Sequence, residues 1–168
     1  MFYENLNISN KIFYSDFIKS LNKNNQNGTY VLGKNVEKFE KNFSNFLGSN
    51  YCVGVANGLD ALTISLKSLN LEKNSEVLVA SNSYIACIIS IINAGLKPIL
   101  VEPDIETYNI SPTEIKKKIS KKTKAILAVH LYGKSCEMDQ IIKICNQKKL
   151  YLIEDCAQSH GSKYKNKN

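Results

Sequence analysis

At 168 residues, with 43% hydrophobic and 22% charged residues, the chain suits one compact domain whose core needs neither disulfides nor a metal. Its formal net charge of +7 comes from lysine alone, since the 22 basic residues include no arginine. Without the guanidinium fork that grips phosphates and guanine edges, a dedicated nucleic-acid reader is disfavoured, and the small clusters at 116–118 and 121–124 read as solvated surface. The five cysteines, Cys52, Cys87, Cys136, Cys145 and Cys156, are odd in number and lack metal spacing, so reduced thiols in a cytoplasmic protein are expected. The start, MFYENLNISN, is no signal peptide, and the apolar stretch Ile85–Ile92, interrupted by Ser90, is too short to span a bilayer.

In chain order, "NKNNQNG" (22–28) reads as a flexible loop. In "GKNVEKFEKNFSNFLG" (33–48), Val36, Phe39, Phe43, Phe46 and Leu47 recur at helical spacing, with Gly48 as the stop. "YCVGVA" (51–56) reads as a short buried strand. In "GLDALTISLKSLN" (58–70), Leu59, Leu62, Leu66 and Leu69 share a helical face. Strands are expected at 76–80, 97–104, 124–131 and 150–155. Helices are expected at 84–95, at 111–120 with Ser111 as N-cap and Pro112 in the first turn, and at 137–149.

Five near-continuous apolar strands alternating with helices call for an α/β, three-layer αβα sandwich around a mostly parallel sheet. Ligands of such sheets bind beyond the carboxyl ends of the strands. That rule gathers Asn57–Asp60, Ser81–Tyr84, His130–Gly133 and Asp155–His160 at one rim.

Each rim motif has a plain reading and a chemical one. "VANGLDAL" sets a strand end, a glycine and a helix start in succession, which makes either a capped βα turn, with Asn57 or Asp60 as cap, or an anion site for a phosphate. In the second case Asp60 serves through its backbone amide only. Tyr84 is either a core aromatic or a flat face for a planar ring. Asp155 follows "LYLI", where a carboxylate needs a cation or several donors; a cap, a surface acid and the partner of a protonated pyridine nitrogen are the options. Gln158 could donate to a ring hydroxyl, or be an exposed glutamine. His130 and His160, with no clustered ligand set around them, read as structural or substrate-orienting, and no metal site is expected.

Together, "YVLGKNVEKFEKNF", "NGLDAL", "SYIA", "VEPDIETYNI", "TKAILAVHLYG" and "IEDCAQSHG", in this order, resemble the DegT/DnrJ/EryC1/StrS sugar aminotransferases from about Gly28 onward. The combination looks most like the branch that aminates dTDP-3-keto-6-deoxyhexoses. The resemblance implies the N-terminal part of the type I, aspartate-aminotransferase-like fold with pyridoxal 5′-phosphate (PLP) as cofactor. It implies Gly58, Leu59 and Asp60 as the phosphate turn, Tyr84 as the stacking aromatic, Asp155 as the partner of the pyridine nitrogen and Gln158 near the ring hydroxyl. Leu59 stands where many relatives carry threonine, so backbone N–H groups must serve there.

Tyr30 matches a loop near the substrate entrance. Residues 1–32 are then the N-terminal helix and entrance loop, and 33–168 an incomplete large PLP-binding domain without the small C-terminal domain. The implied reaction takes an amino group from glutamate to a dTDP-keto-sugar, in a cytoplasmic homodimer with no membrane or nucleic-acid partner. The Schiff-base lysine of the family belongs to a later block. Lys163, Lys165 and Lys167 match a turn that precedes it, so no catalytic residue is assigned and these residues are expected to be inactive alone. A non-catalytic module that binds PLP or a nucleotide sugar, or associates with complete subunits, is the alternative.

Overall fold

A computed structural model describes residues 5–28 and 30–165; Lys167 lies outside them. The chain divides into two compact units, Met1–Gly54 and Val55–Asn168.

The N-terminal unit holds α1 (Leu6–Asn10), α2 (Tyr14–Asn27) and α3 (Lys34–Leu47). The expected loop at 22–28 is instead the end of α2. Each asparagine costs a helix only about 0.7 kcal/mol relative to alanine, so the polar tract slows the helix without stopping it. Gly28 stops it, at φ 65, with its N–H on the Asn24 and Asn25 carbonyls. Gly48 ends α3 in the same left-handed conformation, as its sequence indicated. On α3 the rings of Phe39 and Phe43 stack with centroids 5.4 Å apart, and Phe46 tilts against Phe43 at 6.2 Å.

The strand expected at 51–56 does not form. Tyr51 and Val53, 87% and 77% exposed, keep the alternation of a strand, but no described segment pairs with them. A ladder needs a partner as well as a pattern. The Gly54 N–H turns instead to Glu40 Oε1 at 2.7 Å. A Cβ on Gly54 would meet Val36 Cγ1 at 3.3 Å, so glycine is what allows this approach to α3.

The second unit holds α4 (Gly58–Ser68), β1 (Glu76–Ala80), α5 (Ile85–Asn93), β2 (Lys97–Val101), α6 (Pro112–Lys118), β3 (Thr123–Val129), α7 (Met138–Lys148) and β4 (Tyr151–Asp155). Its four strands form an all-parallel sheet in the order β2-β1-β3-β4. Side chains alternate between the sheet faces. Val77, Val79, Ala125, Leu127 and Val129 pack with Leu62 and Leu66 of α4 and Cys87 and Ile91 of α5. Leu78, Ala80, Ile126 and Ala128 pack with Ile115 of α6 and Ile141 and Cys145 of α7. This is the expected αβα sandwich, with four strands rather than five.

β2 ends at Val101, earlier than expected, because Asp104 turns the chain: its Oδ1 accepts the N–H groups of Glu106 and Thr107 at 3.0 Å each. Those two bonds hold the Asp104 carboxyl below its ordinary range. β3 likewise stops at Val129, and Leu131–Gly133 is a 3₁₀ turn with Tyr132 at φ 57.

Candidate active site

The order β2-β1-β3-β4 reverses direction between β1 and β3, the place where open parallel sheets hold ligands. Alternation then decides which side chains meet there. Leu152 packs on the α6–α7 face and Ile153 on the α4–α5 face, so Glu154 and Asp155 follow to opposite sides. Asp155 thereby shares a face with the starts of α4 and α5, which carry Gly58 and Tyr84.

Asn57 caps α4, its Oδ1 accepting the Asp60 N–H at 2.9 Å while its Nδ2 donates to Asp60 Oδ2 at 2.9 Å. The Asp60 amide, expected to serve a phosphate, is therefore occupied by the cap. The amides of Gly58 and Leu59 meet no acceptor among the described residues. A Cβ on Gly58 would find nothing within 4 Å, so the space in front of the turn is open. Two unengaged N–H groups at the positive end of an 11-residue helix suit an anion.

Tyr84 stands at the N-cap position of α5 without a side-chain capping bond and is 72% exposed, with its ring open to a flat partner rather than in the core. Asp155, half-buried at the end of β4, accepts the Ala157 N–H on Oδ1 at 3.0 Å and lies 3.5 Å from Cys87 Sγ through Oδ2. No cation pairs with it among the described residues. Its backbone oxygen accepts the His130 N–H at 3.1 Å, which joins the strand end to the turn after β3.

Gln158 Oε1 accepts the Tyr132 N–H at 2.7 Å. With the oxygen so engaged, the amide's NH₂ is left to donate elsewhere. Gly133, at φ 80, supplies the left-handed turn that follows Tyr132, and a Cβ there would only touch the Gln158 carbonyl, at 3.4 Å. Tyr30 belongs to the N-terminal unit and is 75% exposed.

His130 has the structural role. It is 4% exposed; its Nδ1 accepts the Cys136 N–H at 3.1 Å and its Nε2 meets Glu154 Oε2 at 3.0 Å. The Cys136 N–H aimed at Nδ1 needs a lone pair there, and the Cys136 thiol points away from the ring, to the Val129 carbonyl at 3.3 Å. The hydrogen-bond network thus assigns a neutral ring with its proton on Nε2, donated to Glu154 Oε2. His160 is exposed. Among the described residues no three His, Cys, Asp or Glu side chains are grouped to hold a metal, and no helix is long and apolar enough to cross a membrane.

Two participants escaped sequence reasoning. Cys87 read only as a reduced thiol, although its place one turn after Tyr84 marked the inner side of α5. Asn109, 2% exposed, donates through Nδ2 to the Lys134 carbonyl at 2.9 Å and accepts the Leu131 N–H on Oδ1 at 3.0 Å. Its only signal was a polar residue next to the core residue Ile110.

An α/β sandwich with a turn of open amides, an exposed aromatic and a carboxylate without a cation on one face of the sheet is the class of arrangement that suits a planar, phosphorylated ligand. Residues 12–168 match the model of the DegT/DnrJ/EryC1/StrS aminotransferase family, and the chain belongs to that family. It is 47% identical over 158 residues to the dTDP-3-amino-3,6-dideoxy-alpha-D-galactopyranose transaminase of Aneurinibacillus thermoaerophilus, covering 94% of this chain and 44% of that protein. The crystal structure of Streptomyces venezuelae DesV in complex with a ketimine intermediate superposes with a TM-score of 0.89 at 32% identity, over 94% of this chain and 42% of that one. NtdA of Bacillus subtilis with bound cofactor PMP gives 0.85 at 36% identity, over 88% and 34%. The chain thus spans less than half the length of these relatives, and its sheet and helices are part of the type I aminotransferase fold.

Proposed function

We propose that these residues form the N-terminal part of a PLP-dependent aminotransferase that moves an amino group from glutamate to a dTDP-linked keto-6-deoxyhexose. The observation that carries the proposal is the gathering of the open Gly58–Leu59 amides, the exposed Tyr84 ring and the Asp155 carboxylate without a cation on one face of the sheet. In relatives of this family that is the chemistry of a phosphate, a ring and a ring nitrogen.

Bound PLP supplies an electron sink for the substrate's breaking bonds. Asp155 holds a proton on the ring nitrogen, Tyr84 stacks on the ring, and Gln158 donates its NH₂ to the ring hydroxyl. Gly58 and Leu59 hold the phosphate through their amides, and Asp60 shapes their turn through its bonds to Asn57. Tyr30 offers a ring and a hydroxyl to the substrate, within an entrance segment 1–32 that precedes the large-domain residues 33–168. The proton-shuttling lysine is supplied from outside these 168 residues, which turn over no sugar by themselves. Homodimer assembly is supported by the exposed stripe Ile85, Ile89 and Ile92 on α5, and a cytoplasmic location by five free cysteines.

The test is a chimera in which this chain replaces the matching segment of the Aneurinibacillus transaminase. It is expected to retain PLP and to aminate the keto-sugar with glutamate. A folded chimera that takes up no PLP would falsify the proposal, and one that takes up PLP but aminates only another keto-sugar would overturn the substrate.

A further inference from the structure

Two donors serve the Asp155 carboxylate. Ala157 N–H, two residues on, fixes Oδ1. The second comes from 68 residues away: Cys87 Sγ, on the inner side of α5, 3.5 Å from Oδ2. Cys87 is 1% exposed, and burial, followed by the neighbouring Asp155 charge, pushes its pKa up to about 11. It is therefore a thiol at neutral pH, and towards a carboxylate a thiol can only donate. Among the described residues nothing else holds Oδ2.

We propose that Cys87 is a positioning residue, whose S–H bond to Oδ2 fixes the Asp155 carboxylate so that its remaining lone pairs face the cofactor nitrogen. The inference rests on the reading of Asp155 given above. Choosing sulfur has a chemical consequence. S–H is a weak donor, so it orients the carboxylate while withdrawing little of the charge that must attract a protonated nitrogen. Serine would orient it equally and compete harder for that charge, whereas alanine would leave the carboxylate held on one oxygen and able to rotate.

The test uses the chimera described above, with pyridoxamine phosphate as the probe, which forms no bond to a lysine when it binds. First, the Raman S–H stretch of Cys87 is compared in wild type and Asp155→Ala. Loss of the acceptor is expected to shift that band to the frequency of a free thiol; an unmoved band overturns the contact. Second, pyridoxamine phosphate binding is measured for wild type, Cys87→Ser, Cys87→Ala and Asp155→Asn, each checked for its fold by circular dichroism. Cys87→Ala should bind about fivefold more weakly, the worth of one weak hydrogen bond, with Cys87→Ser restoring most of the loss. If Asp155→Asn abolishes binding while Cys87→Ala binds like wild type, the positioning role is wrong and the reading of Asp155 stands. If wild type binds nothing, or Asp155→Asn binds normally, the reading itself fails and takes this inference with it.

Discussion

Replacing Asn109 by alanine tests whether the turn after β3 is held from the side. The Asn109 side chain is the acceptor for the Leu131 N–H and a donor to the Lys134 carbonyl. Leu131 is buried, so its N–H would lose the one acceptor it has among the described residues without gaining water, at about 1–3 kcal/mol. Lys134 is exposed, so its carbonyl can turn to solvent and only the net worth of the bond, about 0.5–1.5 kcal/mol, is lost. The expected destabilisation is therefore about 1.5–4.5 kcal/mol. Asn109→Asp should cost nearly as much: it keeps an acceptor for Leu131 but sets a carboxylate oxygen against the Lys134 carbonyl. Urea unfolding followed by far-UV circular dichroism gives the numbers, with m compared between variants so that denatured-state effects are seen. Because Tyr132 follows Leu131 and binds Gln158, amide exchange at Tyr132 should also quicken. A loss below about 0.5 kcal/mol at unchanged m would refute the reasoning.

Gly133→Ala should destabilise by about 1–2 kcal/mol, from the left-handed backbone at φ 80; a thermal melt within error of wild type would contradict this. The Cys87 thiol gives an alkaline prediction. Its folded pKa is raised, from about 9 to about 11, so the folded state keeps a proton that the unfolded state releases. Its contribution to stability is full below about pH 9 and is lost as pH rises towards 11, a loss of order 2 kcal/mol. Urea stability of wild type minus that of Cys87→Ser isolates this term from the tyrosines, and parallel pH curves for the two proteins would dismiss it.

The sandwich was legible because its strands are short apolar runs and its helices carry apolar stripes, both local properties. Ser111 and Gly48 marked their helix ends for equally local reasons. The segment 51–56 shows the limit, since its alternation is a strand's but pairing depends on another segment. The asparagines at 22–28 misled in the opposite sense, as composition suggested a break where single-residue costs are too small to make one. At the site, the place of Asp155 could be read from the end of an apolar run. The partner on its Oδ2 could not, because Cys87 meets it only through the register of β4 against β3 and the seat of α5 on the sheet. Asn109 was hidden likewise, since its two partners lie beyond a strand it does not belong to.

The burial of the four strands has a mechanical consequence. β1 is buried throughout and β3 nearly so, whereas β2 and β4 are half-open along most of their length. Stability in such a sheet is graded outward from its middle. Gly58 and Tyr84 open helices whose buried side chains pack against the middle pair, while Asp155 rides on the softer β4. Two bonds bridge that gradient, His130 N–H to the Asp155 backbone oxygen and Cys87 to its carboxylate. The carboxylate thus borrows its rigidity from neighbours that are themselves anchored in the middle of the sheet.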